Sequence, residues 1–397
     1  MKPSDSKTSA PIFVLAGLMA MAPFAIDAYL PAMPTMAEWF QVPIHEVELS
    51  LSLFLGGFAI GQLVGGPFSD HFGRRLSIIT GVLLFMLGTA GILLSPTIEG
   101  VWLFRIIEAL GGGLAVVNSP AVIRDLSSGK DSARHLSHMA VIMMMAPLLA
   151  PVIGMVLLHV SGWHGIFAFL FIYALFIGSM IFFRLPETRV KHPQKISALR
   201  RYGQVLKHRY ALGYIFSQSF SYGGMFTFIT ASPLVYMGFF GVSETLYPFL
   251  FGANVVTMVV ANRLNVNLLH RFHSSTLLSA GQFVQVGAGI ILLAHIALAH
   301  APSLAVVAAC IMLFIGAQGL IVSNATANTV EFFPHNSATA TALLGACGFL
   351  TGSLSGALVG AMGDGTPLPM AQVMCACAVA GPVMRFLLQM TPATQQA

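Results

Sequence analysis

Three ionisable side chains, Asp27, Arg105 and Glu108, stand inside long apolar stretches of the chain, where a charge is hardest to keep. On insertion scales a charge at a bilayer centre costs about 2.5–3.5 kcal/mol, so such residues face a cavity, pair with one another or mark an ion path. Asp27 is about five residues from the outer end of a stretch at roughly 11–32, and Arg105 about five from the outer end of one at roughly 100–123. At ~1.5 Å per residue both are expected ~8 Å below the outer surface. Glu108 follows one turn below Arg105 on the same helix face. Burial disfavours a carboxylate's charge and a neighbouring Arg restores it, so a cavity carboxylate that meets Arg, proton or substrate in turn can exchange one for another. The expectation is a proton site with Asp27 and Arg105 as the coupling pair. The plainer reading is a fixed ion pair tying two helices together.

The elements that must position these residues are membrane spans. Of 397 residues 56% are hydrophobic and 8% charged, with mean hydropathy +0.82, whereas a soluble domain is about a quarter charged. A span needs roughly 20 apolar residues. Such stretches recur at roughly 11–32, 49–68, 76–95, 100–123, 138–159 and 164–183, then at 212–236, 245–262, 275–298, 303–326, 338–361 and 368–387. The expected fold class is an all-α polytopic membrane protein: twelve transmembrane helices in two six-helix bundles. The bundles are expected at 1–185 and 211–397, joined by a basic linker at 186–210. Two similar halves suggest the parallel repeat of a secondary transporter with its substrate site near the midplane. The first run, after Lys2 and Lys7, continues past Pro11 to about Pro31, longer than the ~7–15 apolar residues of a signal peptide.

The net charge of +5 does not indicate nucleic acid, because the basic residues sort to one side. Lys2, Lys7, Arg74, Arg75, Arg124, Lys130, Arg134, the run from Arg184 to Arg209, Arg263, Arg271 and a snorkelling Arg385 share that side. The opposite loops carry Glu38, Glu46, Glu48, Glu99, Glu244 and Asp364. By the positive-inside rule both termini are cytoplasmic, and a multi-pass inner-membrane location is expected. Cys310, Cys347, Cys375 and Cys377 lie in apolar segments and read as packing residues. His45-Glu46 opens a zinc-protease pattern, but Leu49 stands where the second His would be, and no nucleotide-binding loop is present. No cofactor is expected beyond a proton as coupling ion. The expected partners are a small-molecule substrate, protons and membrane lipid, for a monomer. A membrane-embedded enzyme lacks a nucleophile–base pair, and a channel lacks a repeated filter.

The turn Gly66-Pro67-Phe68-Ser69-Asp70-His71-Phe72-Gly73-Arg74-Arg75 concentrates charge between two apolar stretches. With Gly66, Asp70, Gly73, Arg74 and Arg75 it resembles the signature of the major facilitator superfamily between its second and third helices. Leu103-Phe104-Arg105-Ile106-Ile107-Glu108 resembles that superfamily's fourth-helix motif linked to proton coupling. Ala146-Pro147-Leu148-Leu149-Ala150-Pro151-Val152-Ile153-Gly154 resembles the fifth-helix antiporter motif, carried by Ala146, Pro147, Ala150, Pro151 and Gly154. Asp27-Ala28-Tyr29-Leu30-Pro31, Arg124-Asp125-Leu126 and Asn324-Ala325-Thr326-Ala327-Asn328 look like the Bcr/CflA drug-resistance branch. The resemblance implies alternating access and proton-driven export of amphipathic compounds. Glu108 stands where the fourth-helix motif usually has Gln, and Ala150 and Met155 stand where the fifth usually has Gly. The loop from Arg263 to Arg271 keeps basic residues but has no Asp. The same fold carrying one metabolite, such as a nucleoside or sugar, is the nearest alternative.

The turn has its own electrostatic logic. Asp70 is suited to the start of the eleventh span, near Asn336 and Ser337, where the helix dipole favours an anion. Arg74 is expected to pair with Asp125 at the inner end of the fourth span, beside Arg124. Such contacts would close the inner side. Candidate substrate contacts are Phe24, Tyr29, Asn118, Gln218, Tyr222, Phe226, Asn324 and Asn328, each equally readable as packing at helical spacing.

Overall fold

The computed structural model describes residues 5–127, 129–188, 198–334 and 336–390. Lys2, Arg189, Lys191 and Lys195 of the expected basic side lie outside the described residues, as do the side chains of Lys7, Lys130 and Arg134. Every regular element among the described residues is helical. Two compact units form, Met1–Pro193 with Ser243–Phe249, and Gln194–Val242 with Leu250–Ala397.

The first unit contains α1 (Asp5–Asp27), a 3-10 turn (Leu30–Ala32), α2 (Met33–Phe40), α3 (Ile44–Phe72), α4 (Arg74–Leu94), α5 (Ile98–Val116), α6 (Ser119–Leu126) and α7 (Gly129–Arg184). The second contains α8 (Ala198–Lys207), α9 (Arg209–Ser232), a π-helical turn (Pro233–Phe239), most of α10 (Tyr247–Leu268), then α11 (Ser274–Leu298), α12 (Leu304–Gly316), α13 (Gln318–Glu331), α14 (Ser337–Ala361) and α15 (Leu368–Gln389). Ten stretches among the described residues are long and apolar enough to cross a bilayer. One of them, Val141–Arg184, has 44 residues, about twice what a ~30 Å hydrocarbon core accommodates at ~1.5 Å per residue. Helix α7 breaks inside it at Gly162, whose φ of 69° is open to glycine and strained for other residues. It therefore supplies two crossings. Helix α9, 24 residues long and more polar, supplies the remaining one, giving twelve.

Two expectations need correcting. The first span does not end near residue 32. Pro31 and Pro34 fall in the first turn of the 3-10 segment and of α2, where a missing N–H leaves no bond unmade. The stretch Phe13–Phe40 thus runs as one span, closed by Gln41 in the left-handed region at φ 56°. Glu48 is also not a loop residue. It lies within α3 and is buried, because α3 begins at Ile44 and carries it inward.

Candidate functional site

Arg105 is fully buried on α5, and its environment is built from four other helices of the same unit. Its Nη1 donates to Glu108 Oε2 at 2.8 Å, one turn along α5. Thr89 of α4 donates to the other oxygen of Glu108 at 2.9 Å. Nη2 of Arg105 donates to the Ala25 carbonyl of α1 at 3.0 Å. Its guanidinium carbon stands 4.3 Å from the ring centre of Tyr29, 4.5 Å from Phe54 and 5.8 Å from Phe167. Tyr29 in turn shares a 3.3 Å hydrogen bond with Ser50 of α3. Aromatic faces attract a desolvated cation by about 2 kcal/mol, so ion pair, carbonyl and rings together hold this guanidinium away from water.

The expected Asp27–Arg105 pair does not form. Arg105 reaches α1 at the Ala25 carbonyl, and residues two apart on a helix point to different faces. Asp27 is buried, and its Oδ1 has no hydrogen-bond partner. A buried oxygen without a donor calls for an explanation. Here it is a position open to a proton or to a donor group on a ligand. The structure therefore presents a closed ion pair, Arg105–Glu108, and a separate open carboxyl, Asp27.

At the opposite end of this unit, Arg74 anchors a charged collar. Its Nη1 meets Asp70 at 3.1 Å and Ser69 at 2.6 Å, and its Nε lies 3.5 Å from Asp125. The expected Arg74–Asp125 pairing is present. Arg124 is exposed and forms none of the ion pairs among the described residues. Gly73, at φ 106°, turns the chain between α3 and α4. Gly66 lies one turn before Asp70 within α3.

Glu187 completes the collar and was not singled out from sequence. Its carboxylate accepts the backbone N–H groups of Arg74 at 2.9 Å and Arg75 at 3.2 Å. It thus caps the N-terminus of α4, where orphan donors and the helix dipole favour an anion. A Cβ at Gly73 would collide with it. Thr188 donates to Asp125 at 3.2 Å, and Arg75 donates to the Phe182 carbonyl at 2.6 Å. The sequence signal was there: Glu187 is the sole acidic residue in 186–210 and follows Pro186 directly after a span.

The antiporter-like segment lies on α7. Ala146, Ala150 and Gly154 are buried at successive turns, with Pro147 and Pro151 beside them. Gly154 meets the Ala28 carbonyl so closely that a Cβ there would overlap it. Small residues at this spacing let α7 close against the end of α1, the region that carries Asp27.

The candidate substrate contacts divide. Phe24 is half-buried against Phe169 and Tyr173. Tyr29 belongs to the Arg105 site. Asn118 donates to Ser77 at 3.0 Å and to the Leu114 carbonyl at 2.8 Å, which makes it a helix tie. In the second unit Gln218 accepts from Thr326 at 3.1 Å, Asn324 donates to Asn265 at 2.7 Å, and Asn328 accepts from Ser274 at 2.8 Å. Tyr222 and Phe226 form an aromatic group with Phe349. Arg385 donates to Ser279 and Gln282 of α11 and stacks 5.2 Å from the Tyr214 ring.

Residues 15–383 match the family model described as Major Facilitator Superfamily. The chain is 34% identical to the bicyclomycin resistance protein homolog of Haemophilus influenzae, over 95% of this chain and 96% of that one. It is 28% identical to a chloramphenicol resistance protein of Pseudomonas aeruginosa, over 72% of this chain and 68% of the relative. Among solved structures, a bacterial homologue of the human lysosomal transporter Spinster superposes with a TM-score of 0.74. It is 15% identical and covers 98% of this chain and 97% of its own, a likeness of fold. With twelve crossings, the charged turn after α3 and the Arg105 site in place, the chain belongs to the Major Facilitator Superfamily, in its Bcr/CflA drug-resistance branch.

Proposed function

We propose that this membrane transporter is a proton-coupled exporter of small amphipathic compounds, working by alternating access across the inner membrane with both termini cytoplasmic. The observation that carries the reading is Asp27: a buried carboxyl with an unpartnered oxygen, in a unit whose one fully buried cation among the described residues is already neutralised by Glu108. An intramembrane carboxyl of this kind is a functional residue by default. Asp27 takes a proton from the outer side as substrate leaves outward, and gives it up to the cytoplasm as the next substrate binds. Arg105 and Glu108 hold the surrounding helices together. The collar around Arg74 and Glu187 makes the cytoplasmic end of the first unit one stiff piece, as a moving half requires. The resistance functions of the relatives point to bicyclomycin and chloramphenicol as the first compounds to try.

The test is proton release from inside-out vesicles on adding bicyclomycin, chloramphenicol or a metabolite panel. Release on addition of the drugs supports the reading. Release with a single nucleoside or sugar and none with drugs replaces it by a narrow-substrate transporter of the same fold.

A further inference from the structure

A second buried carboxylate, Glu48, is not used by this mechanism. It is 2% exposed, and its Oε1 has no hydrogen-bond partner. It belongs to none of the ion pairs among the described residues. The elements of its own unit that pack on α3 include α5, α4 and α2. From α2 comes Glu38, which is exposed, and from α5 come the exposed Glu99 and the mutually engaged Arg105 and Glu108. Helix α4 brings Arg74 and Arg75, both committed to the collar at the far end. On α3 itself, His45 is exposed, Glu46 is half-buried, and Asp70 and His71 are at the inner end. No cation among these pairs with Glu48.

Its position suits entry from outside. Glu48 is ~6 Å along α3 from Ile44 at ~1.5 Å per residue. The level of the interface is marked by the exposed Trp39 and by Trp102, whose Nε1 donates to the Glu46 carbonyl at 2.8 Å. Inward from Glu48, buried hydroxyls continue at Ser50 and Ser52. Ser50 bonds Tyr29, whose ring lies against Arg105.

We propose that Glu48 is a second proton-binding carboxylate of the transport cycle, loaded from the outer aqueous phase before the Arg105 site is engaged. This rests on the proton-coupled reading above and adds one proton to each turnover. One proton from outer water adds to a carboxylate oxygen, taking Glu48 from charge −1 to neutral, and the same proton later leaves to cytoplasmic water.

The primary experiment is pH-difference infrared spectroscopy of purified protein in lipid nanodiscs, for wild type, Glu48→Gln and Glu48→Asp. A carboxylic-acid band titrating within about pH 5–9, the range open to a buried carboxyl, is expected in wild type. It should vanish in Glu48→Gln and move in Glu48→Asp. A set of bands unchanged by both substitutions overturns the proposal. In proteoliposomes the ratio of protons to bicyclomycin moved should fall by one in Glu48→Gln, and an unchanged ratio overturns the transport role even where the band titrates. The infrared measurement needs no transported compound. A wild type that moves neither bicyclomycin nor chloramphenicol therefore counts against the export reading and leaves the Glu48 band to decide.

Discussion

Arg105 and Asp27 are both buried in the first unit, yet they are held very differently. Arg105 has its charge matched by Glu108 and its Nη2 directed at a carbonyl, under aromatic faces, while its Nε has no hydrogen-bond partner. Removing one member of such a pair leaves an uncompensated buried charge and costs about 3–5 kcal/mol, whereas an apolar replacement of both is close to neutral. Glu108→Leu should therefore lower the melting temperature markedly, and Glu108→Leu with Arg105→Met should recover most of it while remaining inactive. A thermal-shift series across the two single variants and the double tests this; a double variant as unstable as the worse single variant would contradict it. Asp27 has no such partner to strand. Asp27→Asn should fold and melt like wild type but lose proton-driven transport by about tenfold or more, the equivalent of ~1.4 kcal/mol in rate. Full uphill transport by the purified variant would remove Asp27 from the coupling step.

At the level of elements, the sequence located spans well and contacts poorly. Hydropathy depends on stretches of about twenty residues, so all twelve crossings were visible, including the break that Gly162 makes in α7. The Asp27–Arg105 pairing depended on rotation about α1, where the two-residue step from Ala25 to Asp27 turns the side chain to another face. Glu48 was lost because a charge near a span end reads as loop. The Glu187 cap joins residues 113 apart in sequence to the first turn of α4, and no local pattern reports such a meeting. Its bonds are exposed, so screening limits the cap to about 0.5–1 kcal/mol. Glu187→Gln should speed hydrogen exchange of the Arg74 and Arg75 amides by about two- to fivefold, the factor that this energy represents. Glu187→Asp, with a shorter reach, should fall between. Unchanged exchange in Glu187→Gln would show that the α4 N-terminus is held by other means.

For the whole molecule, the distribution of charge is the argument for orientation. Arg74, Arg75 and Glu187 gather at the turn after α3, and Lys207 and Arg209 flank the junction of α8 and α9. Glu38, Glu99 and Asp364 are exposed at turns free of Lys and Arg. Lys and Arg within about 15–20 residues of span ends determine which loops stay cytoplasmic, and acidic residues contribute little. On the proposed topology the acidic turns face outward because basic residues are missing there. Reporter fusions should follow: a periplasm-dependent phosphatase should be active when fused after Asp364 and inactive after Lys207, and a cytoplasm-dependent fluorophore should show the reverse. Placing two lysines beside Asp364 should reduce insertion of α14 and α15, seen as lower yield and new protease cleavage in that segment. Replacing Asp364 by Asn should leave topology unchanged. Phosphatase activity after Lys207 would invert the assignment, and with it the direction in which protons reach Asp27 and Glu48.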